Sequence, residues 1–179
     1  MMDRNPVTPK SSSGWLHAFK RLTAYVLDIL LLFALLAPLG FLLHLLTGSR
    51  LPQTGPEIWR TLLWNFSIPA WLYFALSDRS RMGATLGKRL LKLKVVNTQN
   101  QPLSTGQAVL RTAVKLLPWE LVHISAFALS KDMSTFTTVQ TVGLTAANIL
   151  TVIYFVVVVF TSGQRSAHDF VAQTRVASR

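Results

Sequence analysis

The stretch Leu22–Leu46, LTAYVLDILLLFALLAPLGFLLHLL, decides the fold class. At a rise of about 1.5 Å per residue, a helix of this length runs ~37 Å, enough to cross a hydrocarbon core of about 30 Å with some tilt. Asp28 is its only acid, and Tyr25 and His44 are its other ionisable groups. Arg21 stands immediately before it. Arg21, Tyr25 and Asp28 fall at i, i+4 and i+7 and so share one helix face. A carboxylate about two turns inside a membrane helix is costly unless it is partnered, so Asp28 is expected to face protein or a water-filled cavity.

Toward the N-terminus, Lys20 and Arg21 form a basic collar, and Met1–Trp15 is polar, with Pro6, Pro9 and Ser11–Ser13. Residues 1–15 are expected to be a disordered cytoplasmic tail. Beyond the first span, Thr47–Glu57 holds two glycines and two prolines and reads as a short connection. Ile58–Leu76 reads as a second span: Arg60 is its only charge, near one end where it can snorkel, and Pro69 predicts a kink. The segment 77–106 is polar and basic, with Arg79, Arg81, Lys88, Arg89, Lys92 and Lys94 against the single acid Asp78. Alternation around Leu91, Leu93 and Val95, followed by turn-rich residues 97–102, predicts a small β-hairpin at the membrane surface.

Ser104-Thr-Gly-Gln107 fits a capping box, so a helix should start near Thr105. Gln107, Arg111 and Lys115 make a polar stripe along its first turns, and residues 110–130 read as a third span, interrupted and kinked at Pro118. Residues 144–160 are dense in valine and carry no charge, and they read as a fourth span. The fold class expected is an all-α membrane protein: a four-span transmembrane helical bundle with a short cytoplasmic β-hairpin between spans 2 and 3. One membrane domain, residues 16–176, would be followed by a tail at 177–179.

The formal net charge is +11 and cysteine is absent. The basic residues cluster between apolar runs, so a nucleic-acid partner is rejected in favour of membrane topology. With four spans, thirteen Lys and Arg residues fall on the side of the termini and the 77–106 loop, against Arg50 and Lys131 on the other. The positive-inside rule assigns the thirteen to the cytoplasm. The expected location is a bacterial cytoplasmic (inner) membrane, multi-pass, both termini inside. The first apolar run is too long for the core of a cleavable signal.

Arg21 opening the first span, Asp28 within it, and Asp169 in Arg165-Ser-Ala-His-Asp-Phe-Val-Ala-Gln-Thr-Arg-Val176 form an ordered pattern. With Thr85-Leu-Gly-Lys-Arg-Leu-Leu-Lys-Leu-Lys-Val-Val96, Pro102-Leu-Ser104 and Arg111, this pattern resembles the RDD family of small bacterial integral membrane proteins. The resemblance runs from about Arg21 to Val176, with one departure: Gln173 stands before Thr174 where a small residue would be expected. It implies a multi-span membrane fold, and transport of ions or unknown ligands has been suggested for the family.

Arg21, Asp28 and Asp169 are therefore the leading site residues, either as a structural charge network or as a transport site with Asp28 titrating. Arg111, Lys115, Glu120, His123, Arg165 and His168 are secondary candidates. Arg21, Lys115, Arg111 or a C-terminal basic residue could pair with Asp28. Glu120 and His123, at i and i+3, could relay protons, cap the kink left by Pro118 or line the bundle interior. His168-Asp169 is an isolated pair, short of the three or four ligands a metal needs, and Asp169 could pair with Arg21 or a loop arginine at the cytoplasmic face, locking the tail onto the bundle. No catalytic, cofactor or metal site is expected. Partners are expected to be the bilayer itself, anionic headgroups at the basic loop, and a second copy or a partner membrane protein.

Overall fold

The computed structural model describes residues 14–130 and 135–179. Helix α1 spans Gly14–Thr47. Helix α2 (Gly55–Leu62) passes through a π-helical turn at Leu63–Ser67 into α3 (Ile68–Arg79). A short helix α4 (Leu86–Leu90) leads into strand β1 (Leu93–Asn97). Helix α5 (Thr105–His123) ends in a second π-helical turn, Ile124–Ala128. Helix α6 (Thr138–Phe160), the short helix α7 (Ala167–Val171) and strand β2 (Thr174–Ser178) complete the order.

Two of these helices, α1 and α6, are long and apolar enough to cross a membrane. Their most apolar stretches are only 11% and 6% buried, respectively. The core helix of a soluble protein would be mostly covered, and so large an exposed apolar area calls for an apolar solvent. The helical stretches 55–79 and 105–128 are each divided by a π turn.

Each irregularity has a local cause. Pro69 cannot donate a helical hydrogen bond, and the π turn lies just before it. Pro118 does not break α5, contrary to the interruption the sequence suggests; the helix runs through it. The Val114 carbonyl, four residues earlier, loses its helical donor to Pro118 and accepts the Tyr154 hydroxyl of α6 at 2.5 Å instead. At the second π turn, Gln140 of α6 is buried and donates its side-chain N–H to the Ala126 carbonyl at 3.2 Å. A side chain from the neighbouring helix thus supplies what the irregular backbone lacks.

The local β-hairpin is not formed, and this corrects the expectation for 77–106. Strand β1 pairs antiparallel with the C-terminal β2, with Val95 opposite Val176 and Leu93 opposite Ser178. The turn after β1 explains why. The Asn97 side-chain oxygen accepts from the Gln99 and Gln101 amides at 2.9 and 2.8 Å, which sends the chain into α5 rather than back along β1. Leu93, Val95 and Val176 pack with Ala24, Leu103 and Ala108 into a core beneath α1. A second core holds Leu32, Phe66, Ala70, Phe74 and Leu116 between α1, α3 and α5.

Two boundaries also shift. Gly14 and Trp15, assigned by sequence to the tail, open α1, and residues 1–13 lie outside the described residues. Ala177 and Ser178 belong to β2, and the Arg179 amide donates to the Lys92 carbonyl at 2.7 Å. Ser104 and Gln107 form the anticipated capping box; an equivalent box, Thr54 with Glu57, starts α2 three residues before the expected span.

Candidate functional site

Asp28 lies on the buried face of α1 and is 1% exposed. Its carboxylate accepts the Tyr73 hydroxyl at 2.7 Å, the Thr85 hydroxyl at 2.6 Å and the Gly87 amide at 2.8 Å. The Thr85–Lys88 run builds this socket. Thr85 caps α4, its oxygen receiving the Lys88 amide at 3.4 Å. Gly87 brings the α4 backbone against α1: a Cβ there would collide with the Ala24 carbonyl and meet the Asp28 carboxylate at 3.0 Å. Only the absence of a side chain lets the Gly87 N–H reach Asp28. Asp28 therefore ties α1 to the α4 segment through Thr85 and Gly87 and to α3 through Tyr73, all three neutral donors.

The charged residues gather separately. Asp169 is fully buried at the third position of α7, where one of its oxygens accepts the Ser166 amide at 2.9 Å. The same oxygen receives Arg21 Nη2 at 2.6 Å. The other accepts Arg111 Nε and the Thr174 hydroxyl, both at 3.0 Å. Arg111, 1% exposed, bridges onward to Asp78 at the end of α3. Asp78 also receives Lys88 Nζ at 2.6 Å. The chain Arg21–Asp169–Arg111–Asp78–Lys88 thus joins α1, α7, α5, α3 and α4. It holds three cations against two carboxylates, while Asp28 of α1 sets a third carboxyl group against the same α4 segment.

Burial alone would raise the pKa of Asp169. The guanidiniums of Arg111 and Arg21 override this at Asp169 and hold it well below the usual carboxylate range. His168 is pushed well below its usual value by burial and by the cations Arg111, Arg21 and Lys115, against the pull of Asp169 at 3.6 Å.

Of the three leading residues, the structure brings Arg21 and Asp169 together and leaves Asp28 outside their network. This corrects the three-residue network expected from sequence. Seven residues separate Arg21 from Asp28, about 10 Å along the helix axis. The Arg21 side chain extends away from Asp28, to Asp169 and to the Gly163 carbonyl at 2.9 Å. Lys115 does not bond Asp28 either; its ammonium lies over the Phe74 ring, 3.3 Å from the centroid, and 4.8 Å from that of Tyr25.

Glu120 does not cap the proline, since Tyr154 does. It lines the interior, accepting the Trp71 indole N–H at 3.0 Å and the Ser67 hydroxyl at 3.2 Å. His123 stacks edge-on against Trp119 at 4.6 Å, with no hydrogen bond at its buried Nδ1 among the described residues. Arg165 donates to the Thr174 carbonyl at 2.9 Å and covers the Phe170 ring.

Sequence reasoning missed Asp78 and Lys88 as members of the network, and Tyr73, Thr85 and Gly87 as the Asp28 socket. One signal was available: Asp78 is the only acid in a segment with six basic residues, immediately after a span. The socket had no comparable signal, because its donors are a phenol, a hydroxyl and a backbone amide.

Comparison with known proteins bears on this arrangement. The RDD family model matches residues 17–173, most of the chain, and the chain belongs to the RDD family. It is also similar to the "Uncharacterized protein YxaI" of Bacillus subtilis (strain 168), at 42% identity over 53 residues. That match spans 30% of this chain and 35% of the relative. No solved structure matches the chain.

Proposed function

We propose that this RDD family membrane protein is a non-catalytic assembly module, which presents a rigid cytoplasmic face to a partner membrane protein or a second copy. The observation carrying this reading is the continuous ion-pair chain from Arg21 through Asp169, Arg111 and Asp78 to Lys88. Asp78 and Asp169 each accept from two fixed cations, and Asp169 accepts two further hydrogen bonds from Ser166 and Thr174, so both carboxylates are committed to partners within the bundle. Buried ionic chains of this kind specify one packing arrangement rather than add much stability. In this reading the helical stretches 55–79 and 105–128 cross the membrane with α1 and α6, and the 77–106 segment and both ends of the chain face the cytoplasm of a bacterial inner membrane. The distribution of Lys and Arg supports that orientation.

A second reading has one specific observation in its favour. Among the described residues Asp28 accepts only from neutral donors and no cation bonds its carboxylate, which makes it the candidate site of an ion or small-solute transporter. Flux in proteoliposomes loaded with a pH-sensitive dye separates the two readings. The module predicts no flux under sodium, potassium or proton gradients and recovery of a co-purifying membrane protein or a homo-oligomer from native membranes. Flux abolished by Asp28→Asn in a folded protein, with nothing co-purifying, favours the transporter. Because the chain has no cysteine, Arg79→Cys labelled with an impermeant maleimide tests the orientation: labelling is expected from the cytoplasmic side only.

A further inference from the structure

The structure assigns a phospholipid site to the groove between α1 and α4, with an anionic headgroup phosphate held by Arg89 and an acyl chain lying along Leu27 and Leu31. The groove has a volume of about 460 Å³ and is walled by Leu27 and Leu31 of α1 and Leu86, Gly87, Arg89 and Leu90 of α4. Leu86 and Leu90, one turn apart, are 47% and 72% exposed, so α4 turns an apolar face outward although it stands in the most basic part of the chain. Arg89 uses only its Nε, donated to the Ala84 carbonyl at 3.0 Å. Among the described residues its terminal amino groups meet no acceptor and no carboxylate, whereas Arg21, Lys88 and Arg111 are all consumed by aspartates. A guanidinium fixed at one nitrogen, with its two amino groups free at the mouth of an apolar groove, has the geometry for bidentate capture of a phosphate diester, and its charge favours a headgroup whose phosphate is not offset by an ammonium of its own.

Depth along α1 agrees. Leu27 and Leu31 lie six and ten residues past Arg21, about 9 and 15 Å farther along the helix. If the basic collar marks the headgroup level, the groove runs from that level into the acyl region of the same leaflet. This inference rests on the proposed placement of the 77–106 segment at the cytoplasmic leaflet. Binding measured in detergent does not depend on orientation, so it can fail while the cysteine labelling above succeeds, and the reverse.

The test is native mass spectrometry of the full chain in a non-ionic detergent, titrated with dioleoylphosphatidylglycerol and with dioleoylphosphatidylcholine. The expected result is tighter binding of the anionic lipid by about fivefold or more, the contribution of one basic residue. Arg89→Gln removes the preference, Arg89→Lys keeps most of it, and Leu31→Trp, which fills the groove, weakens both lipids. Equal binding of the two lipids by the unaltered protein overturns the proposal. So does an unchanged preference in Arg89→Gln with an unaltered melting temperature. Competition by millimolar glycerol phosphate as effective as by the lipid would identify a soluble phosphate site and also overturn it. If Arg89→Gln does not fold, the lipid preference of the unaltered protein and the Leu31→Trp comparison still decide.

Discussion

Replacing Asp169 by Asn tests the ionic chain at the point where it carries most. The amide keeps the size of the carboxylate and can still accept the Ser166 N–H, so helix α7 retains its first turn. What disappears is the charge shared by Arg21 and Arg111, and the cluster changes from three cations against two carboxylates to three against one. Arg111 cannot lose its proton and is 1% exposed, so although it keeps Asp78, water cannot replace the partner lost at its Nε, and the buried cluster carries one more unbalanced positive charge. Leaving a buried charge uncompensated costs about 3–5 kcal/mol. Arg21, whose side chain is 10% exposed, recovers some solvation, which places the expected loss near ~3 kcal/mol. At about 2–4 °C per kcal/mol for a chain of this size, the melting temperature should fall by about 6–12 °C. Tryptophan fluorescence during heating in detergent reads this directly. The double variant Arg21→Gln/Asp169→Asn should lose less than the sum of its parts, since the two residues share one interaction. A fall of under about 2 °C for Asp169→Asn, or strict additivity in the double variant, would refute the reasoning.

Three further outcomes follow from particular contacts. Gly87→Ala drives a methyl group into the Ala24 carbonyl and pushes α4 from Asp28, for a loss of about 1–3 kcal/mol in the same melting assay. Val176→Asp buries a carboxylate opposite Val95 and should release β2, read as faster tryptic cleavage at Arg165 and Arg175 with the apolar helices still protected. His168 is held neutral in the folded protein, so between its depressed folded pKa and its usual 6.5 the unfolded chain binds more protons. Stability therefore declines as pH falls below about 6.5, and His168→Gln should flatten that part of the profile, while the loss from Asp169 persists at lower pH, where that carboxylate protonates.

That α1 and α6 are apolar helices of membrane-crossing length was legible in the amino-acid sequence, because length and hydropathy are local properties and these helices are covered by little else in the chain; their starts were not, since both begin before the apolar run, at Gly14 and Thr138 rather than at 22 and 144. The same holds for the start of α5, where Ser104 and Gln107 satisfy each other within four residues. The family pattern was legible as an order of residues. Arg21 and Asp28 could be singled out because ionisable groups in or beside apolar runs are rare and costly, whereas Asp169 was singled out by the family pattern. Which of them meet is another matter.

Tertiary structure alone decided that Arg21 reaches Asp169 across 148 positions of chain, that Arg111 bridges two aspartates, and that Asp28 sits in a socket of neutral donors. It also decided that β1 waits for the C-terminal strand instead of folding on its neighbour. The physical reason is common to all of these. Hydropathy and capping act over one or two helical turns, whereas the partner of a buried charge or an open strand edge is set by which distant segments the packed helices bring alongside. Pro118 shows the limit most plainly: sequence predicts that a carbonyl loses its donor there, and only the packing of α6 supplies Tyr154 to replace it.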